Sequence, residues 1–170
     1  MRKKIINYSF LFFLLLIFTA CERFLYDENK KIPDAVWAYK DLMEFNFEIT
    51  DTASRYNIYL EVKHDAAYNA QNLYAKVYVT FPDAKERNQL VSLELADNRG
   101  EWLGKCSAKS CTRRISFMPD AAFDQIGKYK LKFEQFTRQE KVKGIESLRM
   151  IVEKIKKDNT DKNKAKKTVS

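Results

Sequence analysis

Hydrophobic and polar residues alternate with a period of two in seven segments of this chain, the pattern of strands that bury one face. The hydrophobic positions are Phe45, Phe47 and Ile49; Tyr56, Ile58, Leu60 and Val62; Ala75, Val77, Val79 and Phe81; Val91, Leu93 and Leu95; Ile115 and Phe117; Tyr129, Leu131 and Phe133; and Leu148, Met150 and Val152. Turn-forming residues separate the segments at intervals too short for the helical crossovers of a parallel sheet. The pattern predicts an all-β fold, a single antiparallel β-sandwich of seven strands, either Ig-like or jelly-roll.

The N-terminal residues have the order of parts of a secretory signal. A cationic segment, residues 1–4, precedes an apolar run, residues 5–20, and Cys21 follows directly. The run falls short of the ~20 apolar residues that a spanning helix needs, which makes a permanent anchor helix the second interpretation. Phe18-Thr19-Ala20-Cys21 resembles a lipobox, in which the thiol is lipidated and the peptide is cut before it. We therefore expect residues 1–20 to be a lipoprotein signal peptide and Cys21 to carry fatty acids such as palmitate.

These boundaries divide the rest of the chain into three parts. Residues 21–43 are expected to form a lipidated linker and lead-in, residues 44–155 the sandwich, and residues 156–170 a disordered basic tail. In the lead-in, Val36 and Trp37 are expected to plug one end of the sandwich.

The positive charge of the chain lies at its two ends. Of the net charge of +8, residues 1–20 carry +3 and residues 154–170 carry seven lysines against two aspartates, which leaves 8 − 3 − 5 = 0 for residues 21–153. A neutral body predicts no nucleic-acid partner. The tail fits either a solubilising role or attraction to anionic lipid head groups or surface polysaccharide.

Two cysteines remain once Cys21 is assigned to lipid. Cys106 and Cys111 are separated by four intervening residues in an exported chain, which favours a disulfide over two free thiols. Zinc would need four ligands, and His64 is the only histidine, so we expect neither a metal site nor any cofactor beyond the covalent lipid. His64 itself is expected in an exposed loop at the end of a strand.

The sequence offers no motif for catalysis. It has four glycines and no Gly-rich phosphate loop, and it has no G-x-S-x-G elbow. We therefore expect no enzyme. Tyr59, Tyr74 and Tyr78 fall on the polar sides of their strands, where they could form one aromatic strip for glycan or protein, or simply pack across strands.

An ordered set of short segments gives the chain a family resemblance. The segments are Tyr56-Asn-Ile-Tyr-Leu60, Asn72-Leu-Tyr74, Val77-Tyr-Val-Thr-Phe-Pro-Asp83, Leu93-Glu-Leu-Ala-Asp97, Gly100-Glu-Trp-Leu-Gly104, Gly127-Lys-Tyr129 and Val142-Lys-Gly-Ile-Glu146. Together with Cys21 they resemble the gliding motility lipoproteins of the GldH family over nearly all of residues 21–155. Cys106 and Cys111 depart from the pattern expected of that family and suggest a lineage-specific staple.

The resemblance implies what the residues alone do not. It implies a non-enzymatic accessory or assembly lipoprotein linked to gliding motility and the type IX secretion apparatus, with envelope proteins and the membrane as partners. Only Cys21 transfers as a defined site. A glycan-binding module is the alternative function. Because Arg23 follows Glu22, no acidic cluster marks the mature N-terminus for surface export, and we expect an outer-membrane position facing the periplasm.

Overall fold

The computed structural model describes residues 24–155, so the predicted signal peptide, Cys21 and the basic tail of residues 156–170 lie outside the described residues. Eleven strands and one short 3-10 turn make up this part of the chain. The strands are β1 (Phe24–Lys31), β2 (Val36–Ala38), β3 (Met43–Ile49), β4 (Tyr56–Asp65), β5 (Asn72–Thr80), β6 (Glu86–Glu94), β7 (Lys105–Cys106), β8 (Ser110–Ala121), β9 (Gly127–Gln135), β10 (Lys141–Lys143) and β11 (Ile145–Lys154), and the turn is Pro33–Ala35.

The strands form two large antiparallel sheets and one small one. The five-stranded sheet has the order β1-β11-β4-β8-β7, and the four-stranded sheet has the order β3-β9-β5-β6. Strands β2 and β10 pair separately. The predicted antiparallel β-sandwich is confirmed.

The strand order distinguishes a jelly roll from an Ig-like sandwich. When the eight strands of seven or more residues are renumbered in chain order, the two sheets read 1-8-3-6 and 2-7-4-5. The first and last strands are neighbours, β1 beside β11, and the chain alternates between the sheets as in the double Greek key of a jelly roll. An Ig-like sandwich pairs its strands differently.

The core lies between the sheets and consists of the inward positions of the alternating segments. Phe45, Ile49, Leu60 and Phe133 are fully buried. Phe117 of β8 contacts Phe133 of β9 across the sandwich, with ring centroids 5.5 Å apart. Burying an aliphatic or aromatic side chain of this size stabilises a fold by about 1.5–3 kcal/mol, so these positions carry most of the favourable energy.

The boundary expected at Glu44 is wrong, because the lead-in contains two strands. β1 pairs with β11 along its whole length, and β2 pairs with β10. Trp37 is completely buried in the core, and its indole Nε1 donates a hydrogen bond of 2.7 Å to the carbonyl of Asp41. The described domain therefore begins at Phe24.

The sandwich has two distinct ends. At one, which we call the termini end, β1 begins and β11 ends, and Tyr56 of β4 pairs with both Lys154 and Ala121. Loops 50–55, 81–85 and 122–126 lie there. The opposite end, the hairpin end, carries the β7–β8 hairpin and loops 66–71, 95–104 and 136–140.

Candidate interaction surface

The two predicted partner cysteines lie in the hairpin that gives the hairpin end its name. Cys106 of β7 is opposite Cys111 of β8 in the antiparallel register, and the two are joined by a disulfide. Cys111 is fully buried while Cys106 is exposed. The bond therefore ties an exposed two-residue strand to the covered start of β8.

His64 is not the exposed loop residue that its sequence position predicts. It lies within β4, its side chain is fully buried, and Nδ1 is 2.9 Å from the carbonyl oxygen of Asp65. Its ring contacts those of Trp102 and Tyr68, with centroid distances of 4.5 and 5.8 Å. The final alternating position of β4 points inward, so His64 packs as a core residue beneath the loop that carries Trp102.

The predicted strip of three tyrosines does not form, because the three side chains belong to different sheets. Tyr59 lies on the outer face of the five-stranded sheet, whereas Tyr74 and Tyr78 lie on the outer face of the four-stranded sheet. Alternation shows that each side chain points outward. It does not show which sheet each strand joins, and the sequence-based strip assumed neighbouring strands.

Two of these tyrosines are engaged by charged neighbours. The guanidinium of Arg114 lies 4.1 Å from the ring centroid of Tyr59. Tyr78 lies between the ammonium groups of Lys76 and Lys132, each 5.1 Å from its ring, and its hydroxyl donates to Glu134 at 2.6 Å. That hydrogen bond to a carboxylate raises the pKa of Tyr78 above its ordinary value.

Tyr74 instead belongs to an exposed apolar patch. Tyr74 is 50% exposed and Phe136 is 47% exposed, and the amide of Phe136 donates 2.8 Å to the carbonyl of Tyr74 across β5 and β9. Leu90 of β6 and Leu42, directly before β3, are also exposed, by 62% and 42%. We call Leu42, Tyr74, Leu90 and Phe136 the aromatic patch.

The aromatic patch lies on the half of the four-stranded sheet nearer the hairpin end, since Tyr74 is near the start of β5 and Phe136 follows the end of β9. Sequence reasoning missed Phe136 by ending the sixth strand at Phe133. The sequence did contain a signal, because Gln135 continues the alternating inward positions of β9 and Phe136 therefore points outward. Gln135 is buried, and its side-chain amide donates hydrogen bonds to the carbonyls of Gln139 and Glu140.

The outer face of the five-stranded sheet is charged and internally paired. Arg149 donates two hydrogen bonds of 2.6 Å to Asp27 and one of 3.2 Å to Glu61, and Arg114 donates to Glu153 at 2.9 Å. The hydrogen bond from Arg149 holds the pKa of Asp27 below its usual range. These carboxylates are committed to arginine partners, which suits a structural network.

An apolar cleft of about 520 Å³ opens on the side where β6 and β8 face each other. Its floor includes Ile58 and Phe117, and its wall carries Arg87 and Gln89 of β6. At this edge of the sandwich β8 contains Pro119, and two register shifts interrupt its pairing with β4. Inward charge, proline and bulges are the devices that prevent a further strand from pairing at such an edge.

Residues 24–155 contain neither a candidate metal site nor a candidate membrane-spanning helix. No group of three or more His, Cys, Asp or Glu side chains in this region could hold a metal ion. Nor does the described part of the chain contain a helix long and apolar enough to cross a membrane.

Comparison with known proteins decides the family. The model of the GldH lipoprotein family matches residues 24–150, which covers every long strand up to β9 in full and the first part of β11. This chain belongs to the GldH lipoprotein family. Membership implies a lipoprotein associated with gliding motility and held to the cell envelope by lipid.

Two GldH relatives match most of the chain at modest identity. The gliding motility lipoprotein GldH homolog of Christiangramia forsetii is 25% identical over 154 residues, which is 90% of this chain and 94% of the relative. The gliding motility lipoprotein GldH of Flavobacterium johnsoniae is 23% identical over 140 residues, 82% of this chain and 86% of its own.

Among solved structures, a chain of infectious bursal disease virus, Gx strain, aligns with 80% of this GldH chain and 33% of its own length. The sequence identity is 16% and the TM-score is 0.32, which is too low to support an argument.

One segment that carries the GldH resemblance, Gly100-Glu-Trp-Leu-Gly104, has a clear structural role. Trp102 covers His64, and a Cβ at Gly104 would come within 2.4 Å of the carbonyl oxygen of Thr112. Only glycine lets the backbone approach β8 this closely. The segment therefore closes the hairpin end over the core.

Proposed function

We propose that this GldH protein is a non-enzymatic accessory component of the gliding motility and type IX secretion machinery, and that the aromatic patch binds another envelope protein. Lipidation at Cys21 holds it to the outer membrane, facing the periplasm. The observation that carries the binding role is the patch itself: four large apolar side chains exposed on one sheet face. Exposed apolar clusters of this kind mark interaction sites.

Other features of the described residues support a binding role over a catalytic one. His64 is buried beneath Trp102, and the carboxylates on the outer face of the five-stranded sheet are held by Arg149 and Arg114. Tyr74 and Phe136 present two aromatic rings beside Lys76. Aromatic side chains are the commonest anchors at protein interfaces because they bury a large area at low entropic cost.

The proposal is tested with a Tyr74→Asp, Phe136→Asp double variant in place of the wild-type gene. We expect deletion of the gene to impair surface spreading or secretion of outer-surface proteins, and the double variant to reproduce that defect at a normal protein level. Each charged group placed at the centre of an apolar interface costs the complex about 2 kcal/mol or more of binding free energy.

The matched control is Ser116→Asp, because Ser116 is an exposed outward residue of β8 on the other sheet. It adds a carboxylate to a strand without touching the patch and should leave spreading and secretion intact. A photo-crosslinker placed at position 136 should capture a protein in intact cells, while one at position 116 should not. Wild-type behaviour of the double variant would contradict the patch as the binding site.

A further inference from the structure

Both ends of the described chain leave the sandwich at the termini end. Phe24 at the start of β1 is paired with Glu153 near the end of β11. Lys154 follows, and its ammonium group is 2.6 Å from Asp51 Oδ2 in the β3–β4 loop. The chain therefore enters and leaves the domain on adjacent strands at one end.

Cys21 is only three residues before Phe24. Three residues span at most about 11 Å even when fully extended. A lipid on Cys21, which is part of the proposed function and on which this inference rests, would hold the termini end against the bilayer. The sequence that follows Ile155 contains six further lysines and two aspartates.

The side chains of the termini end suit a lipid surface. Phe24, Leu25 and Ile126 are exposed by 41%, 38% and 62%. Ile126 lies in the β8–β9 loop, next to Gly127, and most of its surface is open to solvent.

Three of the four aspartates in or beside the loops of this end are paired within the domain, Asp124 being the exception. Asp120 is paired with Arg55 at 2.8 Å, Asp83 with Lys85 at 2.8 Å, and Asp51 with Lys154. Paired carboxylates repel an anionic surface less than free ones would, and lysines near such a surface are attracted to it.

We propose that the termini end rests on an anionic lipid leaflet through Phe24, Leu25 and Ile126, and that the hairpin end points away from the membrane. Strands of nine or ten residues, such as β4 and β5, are about 30 Å long. The hairpin end, with the disulfide and the neighbouring aromatic patch, is therefore presented a strand's length above the bilayer.

The orientation can be read from the mature lipoprotein reconstituted into vesicles of phosphatidylethanolamine and phosphatidylglycerol. Ile126→Cys and Asn69→Cys each add one free thiol, at the termini end and in the β4–β5 loop of the hairpin end respectively. Cys106 and Cys111 are already in a disulfide and do not compete for a thiol label. Each variant is labelled with an environment-sensitive dye, and brominated lipid is used as a quencher.

We expect brominated lipid to quench the label at position 126 several-fold more than the label at position 69. Ala53→Cys and Arg138→Cys give a second exposed position at each end and guard against a local effect of one substitution. Replacing phosphatidylglycerol by phosphatidylcholine should reduce the quenching at positions 126 and 53. Equal quenching at both ends, or stronger quenching at position 69, would overturn the proposed orientation.

Two further measurements separate the orientation from the anchor. The first measurement is flotation of the protein with vesicles, and the second is the mass of the peptide that carries Cys21. If the protein floats and Cys21 is lipid-modified but quenching is equal at the two ends, the orientation is overturned and the proposed anchor is not. An unmodified Cys21 together with loss of flotation would overturn both. A crosslink from position 126 to a protein in intact cells would show that a protein, not lipid, covers this end, and would also overturn the inference.

Discussion

Arg149 shows how a single residue organises the outer face of the five-stranded sheet. It lies on β11 between β1 and β4, and its guanidinium binds Asp27 on one side and Glu61 on the other. The planar, five-donor guanidinium binds one carboxylate through two parallel hydrogen bonds and still donates to a second, whereas lysine has no such fork. β1, the edge strand that sequence patterning missed, is thereby fastened to its neighbour by side chains as well as by backbone.

The pairing of Asp27 predicts a pH dependence of stability. Arg149 lowers the pKa of Asp27 in the folded state, so its contribution is present above the unfolded-state pKa and is lost as the pH falls through the folded-state pKa. We expect Asp27→Asn to lower the free energy of unfolding by about 0.5–1 kcal/mol at pH 7, because both partners are partly solvated. The difference from wild type should begin to shrink as the pH falls below about 4 and should be lost below the folded-state pKa of Asp27.

Denaturant unfolding of both proteins from pH 7 to pH 3 measures this difference. Asp124→Asn, in the exposed β8–β9 loop, is the matched control and should leave the free energy of unfolding within about 0.5 kcal/mol of wild type. A difference for Asp27→Asn that is as large at pH 3 as at pH 7 would show that the effect is not electrostatic.

At the residue scale, the sequence predicted which way a side chain points better than it predicted which residues that side chain contacts. Alternation gave Tyr59, Tyr74 and Tyr78 outward positions, and all three are on outer faces. Their separation onto two sheets depends on strand pairing between distant segments, which alternation does not encode. His64 was misplaced for a related reason: its burial is completed by Trp102, thirty-eight residues away in sequence.

Among the elements, the longer strands with an alternating pattern were the predictable ones, including the edge strands β3 and β6. The seven alternating segments coincide with β3, β4, β5, β6, β8, β9 and β11. β1 was missed because Phe24, Leu25 and Tyr26 are consecutive instead of alternating, as an edge strand with only partial cover permits. β2, β7 and β10 have two or three residues each, too few to show any period.

The β7–β8 hairpin is an element whose stability depends on one covalent bond. β7 has only two residues, so its backbone pairing alone is weak. On the chain-entropy model, closing the short loop between Cys106 and Cys111 contributes about 2 kcal/mol. We expect the Cys106→Ser, Cys111→Ser variant to be less stable by about that amount in denaturant unfolding.

Reducing agent supplies the control for this prediction. It should lower the stability of the wild type by about 2 kcal/mol and leave the serine variant unchanged. If the wild type unfolds at the same denaturant concentration with and without reductant, the disulfide does not stabilise the domain.

For the whole molecule, the boundary of the domain is the main correction to the sequence-based description. Residues 24–43 contribute β1, which covers β11, and Trp37, which is fully buried. Losing one buried tryptophan side chain costs about 3–5 kcal/mol, and a domain of this size is stable by about 5–15 kcal/mol.

Two fragments test that boundary. We expect a fragment of residues 22–155 to unfold cooperatively on heating, as followed by circular dichroism. A fragment of residues 44–155, the boundary that alternation suggested, should be largely unfolded at room temperature or should aggregate through the exposed edge of β11. Cooperative unfolding of both fragments at the same temperature would show that β1 and Trp37 are dispensable.

The position of β1 also decides how the molecule would bear a mechanical load. Its first residue is at the termini end, and it runs antiparallel to β11 along its whole length. If a lipid pulls on Phe24 while a partner pulls on the far end of the sandwich, the force acts along β1 and shears it against β11. In that geometry the hydrogen bonds of the pair resist together, whereas a strand pulled from its side opens one bond at a time. A lipoprotein loaded in this way would thus meet tension in the direction in which its first strand is strongest.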